Sequence, residues 1–220
     1  MVRDGLYYAL AFTAAGAIVG YFTNPWLGLP LLLVGIFCAW FFRDPERMIP
    51  AGPVAVSPAD GKVVAVVQDA PGVTRVSIFL NIFDVNVNRA PISGIVTGVE
   101  YQKGLFLPAN LADASSRNEQ NKVTIHGEET RVVFKQIAGL IARRIVFTKK
   151  EGDYVSAGER IGMIKFGSRV DVVFGPEWQL EVKEGMRVMA GSSVLARRPG
   201  VSETLKVRFA PVEEPVLCTT

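Results

Sequence analysis

The first part of the chain is dominated by one long apolar stretch. Residues 5–42 include no Asp, Glu, Lys, Arg or His, and Thr23-Asn24-Pro25 divides them into segments of 18 and 17 residues. Each segment approaches the length of about 20 residues that an α-helix needs to cross a bilayer. Because Asn and Pro favour turns, we expect two helices joined by a tight hairpin rather than one long helix.

Charged residues flank this hairpin at its outer ends: Arg3 and Asp4 precede it, and Arg43 and Arg47 are among those that follow it. Basic residues stay on the cytoplasmic side of membrane helices. The pattern therefore predicts a cell-membrane protein with the rest of the chain on the cytoplasmic side. Full spanning and a shallow re-entrant hairpin both remain open. A cleaved signal peptide, which has a single short apolar region, and a buried hairpin in a soluble core are the alternatives.

After Pro50 the pattern changes to short runs of β-branched residues separated by Gly, Pro and Asp. Such runs are typical of strands, and only the stretch 107–118 indicates a helix. We expect a mainly β domain at 43–220, a compact double-layered barrel or sandwich, after the membrane hairpin at 1–42. The predicted strands are 61–67, 73–79, 94–99, 122–125, 131–136, 143–147, 161–166 and 170–174.

An internal repeat supports this fold class. Residues 151–158 match residues 184–191 at Glu, Gly, Val, Ala and Gly, with a constant offset of 33, and each copy returns to apolar residues. Paired glycine-turn hairpins of this kind are found in lipoyl- and biotinyl-type barrels. The glycines are expected to supply positive φ angles in the turns.

Composition narrows the possible functions. Apolar residues make up 49% and charged residues 20% of the 220, with a mean hydropathy of +0.27, which excludes a disordered chain. The net charge of +3 is too small for a dedicated nucleic-acid-binding protein, so we expect no nucleic-acid partner. Cys38, Cys218 and the single histidine, His126, provide neither a disulfide framework nor a zinc site, and we expect no metal.

The sequence lacks the common motifs of serine hydrolases, phosphate-binding loops and dinucleotide-binding folds. Lys165, the nearest candidate for a modified carrier lysine, lacks the residues that normally surround one. Two Gly-Ser pairs remain, Gly167-Ser168 and Gly191-Ser192. Gly191 already has a turn role in the repeat, whereas Gly167 interrupts two strand-like runs, where an isolated glycine marks a bulge or a close backbone approach. Gly167-Ser168 is therefore the better candidate for unusual backbone chemistry.

A series of short motifs occurs in a fixed order along the β domain. These motifs lie at 42–47 (Phe-Arg-Asp-Pro-Glu-Arg), 57–63, 82–91, 104–106, 118–119, 136–145 and 166–169 (Phe-Gly-Ser-Arg). With them the chain resembles the phosphatidylserine decarboxylase proenzyme family, in its short branch, which includes archaetidylserine decarboxylase. The last motif stands where longer members of the family carry Leu-Gly-Ser-Thr.

The resemblance implies a pyruvoyl enzyme that forms by autocatalytic serinolysis between Gly167 and Ser168. The large chain 1–167 and the small chain 168–220 would remain together as a heterodimer, with further assembly into a higher oligomer. Ser168 would become the pyruvoyl group, whose ketone forms a Schiff base with the substrate amine and accepts electrons as CO₂ leaves. The implied reaction converts phosphatidylserine to phosphatidylethanolamine at the membrane. Whether the substrate lipid is ester- or ether-linked stays open.

The resemblance also points to polar residues that support self-cleavage. Asp84 matches the aspartate of an Asp–His pair that activates the serine in longer members, and is a candidate processing base. Asn86 stands where many relatives have the histidine. It cannot take up a proton, but it can donate a hydrogen bond to a developing oxyanion. Asn110 lies near the place of another histidine, and His126 is expected in an exposed turn.

Arginines are the expected ligands of the substrate's phosphate or carboxylate, because a guanidinium group binds either one. Arg89 and Arg144 are the candidates, and Arg143 and Arg144 are expected to point to opposite sides. A surface ion pair is the alternative role for Arg89.

A second hypothesis belongs to a different class. A lipoyl-like barrel on a membrane hairpin can also serve as a non-enzymatic adaptor that binds a partner protein. The repeat fits both hypotheses, but only the enzyme requires Gly167-Ser168.

Overall fold

The computed structural model describes residues 2–109, 111, 113–140, 144–164 and 168–199. The chain begins with the helices α1 (Arg3–Phe22) and α2 (Pro25–Phe41). The Asn24 side chain caps α2 by accepting a hydrogen bond from the Trp26 amide at 2.9 Å. By length and composition α1 can cross a membrane, whereas α2, at 17 residues, is slightly short for a span. The predicted pair of helices is confirmed.

The described residues after position 50 form the β domain, which has fourteen strands and one short helix. The predicted mainly β class is therefore confirmed, but only four of the described residues within the helix predicted at 107–118 are helical. The elements are β1 (Val54–Val56), β2 (Gly61–Ala70), β3 (Val73–Leu80), β4 (Val87–Arg89), β5 (Gly94–Gln102), α3 (Ala114–Arg117), β6 (Gln120–Gly127), β7 (Thr130–Ile137), β8 (Ile145–Phe147), β9 (Tyr154–Val155), β10 (Arg160–Ile164), β11 (Ser168–Phe174), β12 (Gln179–Leu180), β13 (Arg187–Val188) and β14 (Val194–Arg197).

The largest sheet has eight strands in the order β13-β2-β3-β11-β7-β6-β5-β9, with antiparallel pairing throughout. Two three-stranded sheets, β1-β14-β12 and β4-β10-β8, complete the domain. β11 lies near the middle of the large sheet, and its Val170, Val172 and Phe174 are buried in the main core. Alternate residues of a strand share a face, so Ser168 lies on the same face of β11 as these core residues.

The hairpin packs tightly within itself and against the β domain. A Cβ atom at Gly28 would collide with the backbone oxygen of Gly16, so the two helices approach backbone to backbone, as small residues allow in membrane helices. At the other end, Phe41 and Phe42 form a small apolar cluster with Met163 of β10. The hairpin is thus seated on the sheet β4-β10-β8.

Ion pairs fix the segment that connects the hairpin to the β domain, residues 43–49, here called the linker. Asp44 contacts Arg89 at 3.1 Å and Arg160 at 2.5 Å. Arg47 contacts Asp60 at 2.8 Å. All but Arg160 are largely buried, so these pairs are shielded from solvent screening better than ordinary surface pairs. The linker therefore holds the hairpin and the β domain in one arrangement.

The glycines of the internal repeat have the predicted conformation. Gly152 and its repeat equivalent Gly185 both have φ of 92°, and Gly158 and Gly191 have φ of 77° and 78°. The linker residue Ile49 fills the space beside the second pair, where a Cβ on either Gly158 or Gly191 would meet its side chain. The repeat glycines thus have two roles. They form tight turns, and two of them leave the space in which Ile49 of the linker packs.

Replacing Gly158 by alanine should destabilise the protein more than the same change at Gly152. Both substitutions place a side chain at positive φ, which costs about 1–2 kcal/mol. Only the Cβ at position 158 also displaces Ile49, whereas position 152 faces open space, and overpacking adds about 1–3 kcal/mol. Chemical unfolding in detergent measures the difference. Equal losses for Gly158→Ala and Gly152→Ala would show that Ile49 does not occupy this seat.

Candidate functional site

Two of the chain segments that connect the large sheet to the sheet β4-β10-β8 are flanked by paired strands. Residues 81–86 lead from β3 to β4, and residues 165–167 lead from β10 to β11. Because β3 pairs with β11 and β4 pairs with β10, the two connections run between the same two sheets. The structure therefore brings Asp84 and Asn86, on the first connection, to the same junction as Ser168, where the second connection ends.

Ser168 is the first residue of β11 and is fully buried. Its backbone lies opposite Leu80, the last residue of β3. Its hydroxyl oxygen has no hydrogen-bond partner among the described residues. A buried polar group without a hydrogen bond lowers the free energy of unfolding by about 1–3 kcal/mol. Such groups are rare in native proteins, and each one calls for a functional or structural explanation. Gly167, the other residue of the predicted cleavage site, lies outside the described residues.

Asn86 carries a second unpartnered atom. Its side chain is buried, its Nδ2 donates to the carbonyl of Asp84 at 3.0 Å, and its Oδ1 has no partner among the described residues. The backbone carbonyl of Asn86 accepts a hydrogen bond from the amide of Ile164 at 3.2 Å. Three buried side-chain atoms lack a partner among the described residues. Two of them, Asn86 Oδ1 and Ser168 Oγ, belong to residues whose backbones lie at the two ends of the connection 165–167.

Asp84 holds the first connection in shape. Its Oδ2 accepts a hydrogen bond from the Asn81 amide at 3.0 Å, and its Oδ1 forms an ion pair with Arg187 of β13. The Asn81 side chain in turn accepts from the Phe83 amide at 2.7 Å. These contacts make Asp84 a turn-stabilising residue. Its role as a processing base stays a prediction.

Arg89 is buried at the base of the linker. Its guanidinium group donates to the carbonyl of Gly158 at 3.0 Å and to Asp44 and the carbonyl of Pro45, both at 3.1 Å. Burial lowers the pKa of Arg89, although Asp44 opposes that effect. The contacts favour a structural role, and substrate binding by Arg89 stays a prediction.

Two other basic residues singled out in the sequence, Arg144 and His126, are exposed, unlike Arg89. Arg144 is exposed just before β8. His126 is exposed near the end of β6, opposite Ile95 and Arg131. Asn110 and Arg143 lie outside the described residues, so the expectation that Arg143 and Arg144 point to opposite sides stays a prediction.

A buried ionic network on the opposite face of β11 was not anticipated from the sequence. Arg169 Nε contacts Asp171 at 2.6 Å, and its other nitrogens donate to Ser77 at 2.6 Å and to the carbonyl of Leu111 at 3.2 Å. Ser115 donates to Asp171 at 2.8 Å. The network fixes the first residues of β11 against β3, against Leu111 and against Ser115 in α3. The alternation Ser-Arg-Val-Asp at 168–171 was the available signal, because it places two charges on one face of an apolar strand.

A chain of buried amides runs along the Ser168 side of the large sheet. Asn121 Nδ2 donates to Gln136 at 3.0 Å, and Gln136 Nε2 donates to Asn88 at 2.9 Å. Gln136 pairs with Val170, so it lies on the same face of the sheet as Ser168. These amides give the interior near the serine a neutral polar wall.

Asp60 is a further acidic residue near the first connection. Its oxygens accept hydrogen bonds from the Ala190 amide at 2.7 Å and from Arg47 at 2.8 Å. Burial raises the pKa of Asp60 despite these two partners, and the nearby Asp84 raises it further. A carboxyl with a raised pKa is better suited to proton transfer near neutral pH than an ordinary one.

An apolar cavity of about 200 Å³ opens between the hairpin and the sheet β4-β10-β8. Val2 lines it from the hairpin side, and Val146 and Met163 line it from the sheet. Asp44 and Arg160 supply its charged groups. The cavity adjoins β10, the strand that leads to Ser168.

Fold and site together define a β-sheet protein on an apolar helical hairpin, with an unpartnered serine at the start of a central strand. The family model described as phosphatidylserine decarboxylase matches residues 34–196. A protein named phosphatidylserine decarboxylase proenzyme from Solibacter usitatus is 62% identical over 90% of this chain and 97% of its own length. One of the same name from Syntrophus aciditrophicus is 42% identical over 89% and 96%. The chain belongs to the phosphatidylserine decarboxylase family.

Family membership confirms the resemblance found in the sequence and identifies the chain as an enzyme, a carboxy-lyase. The non-enzymatic adaptor hypothesis is therefore wrong. The glycine-turn repeat that this hypothesis relied on serves the structure of the enzyme instead.

Proposed function

We propose that this enzyme converts phosphatidylserine to phosphatidylethanolamine and CO₂ after cutting its own chain between Gly167 and Ser168. Two findings support the proposal. Both compared relatives are named as proenzymes of phosphatidylserine decarboxylase. The observation that carries it within this chain is the buried Ser168 hydroxyl, which no described residue engages.

Self-cleavage follows from elementary ester chemistry. Ser168 Oγ attacks the carbonyl carbon of Gly167, its proton passes to the departing amide nitrogen, and the peptide bond becomes an ester. Loss of the Ser168 α-proton then expels the Gly167 carboxylate and leaves a dehydroalanine at position 168. Water adds to this residue and ammonia departs, which leaves a pyruvoyl group at the start of the small chain. No oxidant or metal ion is needed, and every atom is accounted for.

Asn86 and Asp84 are the residues we propose to assist this step. The Asn86 amide lies at the same junction as Ser168 and can support the oxygen that becomes negative as the carbonyl is attacked, an effect worth about 10²–10³ in rate for a single donor. Its unpartnered Oδ1 can also orient the serine hydroxyl. Asp84 keeps the connection 81–86 in shape and, as the predicted base, would take the serine proton and pass it to the departing amide nitrogen.

Position 168 suits a covalent pyruvoyl group. The side chain is buried and unpartnered, and its strand is held by ladders to β3 and β7. Once formed, the group supplies a ketone that withdraws electrons from the bond to the departing carboxylate. Arg169 and Asp171 anchor the strand from its opposite face, so the new chain end cannot drift when the peptide bond is cut.

For the lipid headgroup we propose Arg144, whose side chain is exposed, with Arg89 as the second candidate. A guanidinium group can bind the phosphate or the serine carboxylate of the substrate. Arg89 already has three acceptors, so we expect its substitution to loosen the linker as well.

The domain organisation we propose is a membrane hairpin at 1–42 and a cytoplasmic catalytic domain at 43–220. The apolar helices support the membrane assignment, and the flanking basic residues support the orientation. The small chain would stay with the large chain, because β11 is hydrogen-bonded between β3 and β7, and β14 pairs with β1. Assembly into a higher oligomer stays a prediction.

The proposal is tested by denaturing mass analysis of the purified protein, together with an assay of CO₂ release from phosphatidylserine. Self-cleavage would divide the 23.9 kDa chain into parts of about 18 and about 6 kDa, in proportion to their residue numbers. A fully active preparation that consists of the intact chain would overturn the cleavage mechanism. A cleaved protein that leaves phosphatidylserine unchanged would overturn the substrate.

A further inference from the structure

The tip of the connection 81–86 exposes two large apolar side chains. Ile82 is 37% and Phe83 is 64% exposed, although burial of such side chains stabilises a protein in water. Phe83 contacts the hairpin. Its ring lies 5.9 Å from that of Trp40, in the last turn of α2. The tip is therefore placed beside the point where the second apolar helix ends.

A cation joins these two aromatic residues. The guanidinium group of Arg43 lies 4.4 Å from the centre of the Trp40 ring and donates to the carbonyl of Phe83 at 2.6 Å. Aromatic side chains next to arginine are typical of the membrane–water interface, where the rings sit at the level of the headgroups and the cation meets anionic lipid. The arrangement has the composition of an interfacial anchor rather than of a soluble surface.

We propose that Ile82, Phe83, Trp40 and Arg43, here called the interfacial patch, form a second contact with a bilayer of anionic phospholipid. The proposal rests on the proposed function. The bilayer is the occupant that the structure favours, because the patch continues directly from the hairpin and carries a positive charge at its centre. A flat apolar surface on another protein is the competing occupant.

The position of the patch gives it a role in catalysis on membranes. The connection that carries Ile82 and Phe83 begins directly after Leu80, which lies opposite Ser168, and ends at Asn86. When the tip lies in the headgroup layer, the strand ends of the large sheet that include Ser168 therefore face the bilayer. A substrate embedded in the bilayer needs this orientation, whereas a dissolved substrate does not.

The test compares Phe83→Asp with Tyr154→Asp. Tyr154 is an equally exposed aromatic residue, at 63%, on the edge strand β9 at the opposite end of the strands. The full-length proteins are reconstituted in phosphatidylcholine vesicles, and rates are expressed per cleaved chain. The substrate is either long-chain phosphatidylserine in the same vesicles or dissolved dihexanoyl phosphatidylserine.

We expect Phe83→Asp to lower the rate on bilayer phosphatidylserine about tenfold and to leave the rate on the dissolved substrate within about twofold, because a carboxylate at the interface is repelled by anionic lipid and resists insertion. Tyr154→Asp should change neither rate. Equal losses on both substrates, or no loss on the bilayer substrate, would overturn the proposal.

A second measurement is independent of activity. A photo-reactive benzoylphenylalanine replaces Phe83 or Tyr154, and the reconstituted protein is irradiated. We expect phospholipid adducts by mass at position 83 and none at position 154. Adducts to a second protein molecule at position 83, or no lipid adduct there, would overturn the proposal. If the unmodified enzyme decarboxylates neither substrate, the proposed function fails, but the cross-link still decides whether the patch meets the membrane.

Discussion

A Ser168→Ala variant is expected to remain one chain of 23.9 kDa and to release no CO₂ from phosphatidylserine. Without Oγ the Gly167 carbonyl has no internal nucleophile, so neither the ester nor the pyruvoyl group can form. The fold should survive, because the removed oxygen makes no hydrogen bond with the described residues and its loss relieves a buried unsatisfied group. Intact-mass analysis and a CO₂-release assay on the same sample measure both expectations.

The matched control is Ser192→Ala. Ser192 also follows a glycine, and its buried Oγ also has no partner among the described residues. It lies after a repeat glycine with a turn role, so this variant should be cleaved and active like the unmodified protein. Cleavage in Ser168→Ala, or an intact chain in Ser192→Ala, would place the reaction at the other Gly-Ser pair.

The second large effect is expected at Asn86. Leucine has a similar size but no polar group, so Asn86→Leu should slow self-cleavage about 10²- to 10³-fold, the usual effect of removing one oxyanion donor. Stability should change much less. The substitution removes one hydrogen bond, to the carbonyl of Asp84, but it also removes an oxygen that no described residue pairs. The two changes offset each other to within about 1 kcal/mol.

The half-time for conversion of the intact chain into its two parts measures the rate, and chemical unfolding measures stability. Asn86→Asp is the comparison of nearly identical shape, because it replaces the amide donor with a carboxylate. It should be cleaved no faster than Asn86→Leu, since a carboxylate cannot donate a hydrogen bond to the developing oxyanion. A normal rate in Asn86→Leu would remove Asn86 from the mechanism, and a slow rate that accompanies a large loss of stability would indicate a purely structural role.

Much of the fold follows from local sequence patterns. The uninterrupted apolar residues 5–42 with Asn24-Pro25 between them predicted the two helices, and β-branched runs predicted β2, β3, β5, β6, β7, β8, β10 and β11. The strands β1, β4, β9, β12, β13 and β14 were missed, because segments of two to four residues show no clear periodicity. Among the described residues of 107–118 only Ala114–Arg117 is helical, since contacts with Arg169 and Asp171, more than fifty residues away in sequence, hold Leu111 and Ser115.

The candidate site was only partly accessible from sequence. Comparison of the two Gly-Ser pairs with the repeat singled out position 168, and the family motifs added Asp84 and Asn86. The neighbours of Arg89 could not be predicted, because Asp44 and Gly158 come from distant parts of the chain and meet it only in the folded protein. Asp60 was missed for the same reason, since its burial depends on Ala190 and Arg47.

The position of Ile49 between Gly158 and Gly191 has a consequence for the mature enzyme. Cleavage before residue 168 would leave Gly158 on one polypeptide and Gly191 on the other, while Ile49 stays covalently joined to the membrane hairpin. One anchored side chain would then touch both products at equivalent turns. The described part of the small chain, residues 168–199, has no membrane segment. Its contact with Ile49 would therefore add to the strand pairing that keeps the small chain at the bilayer.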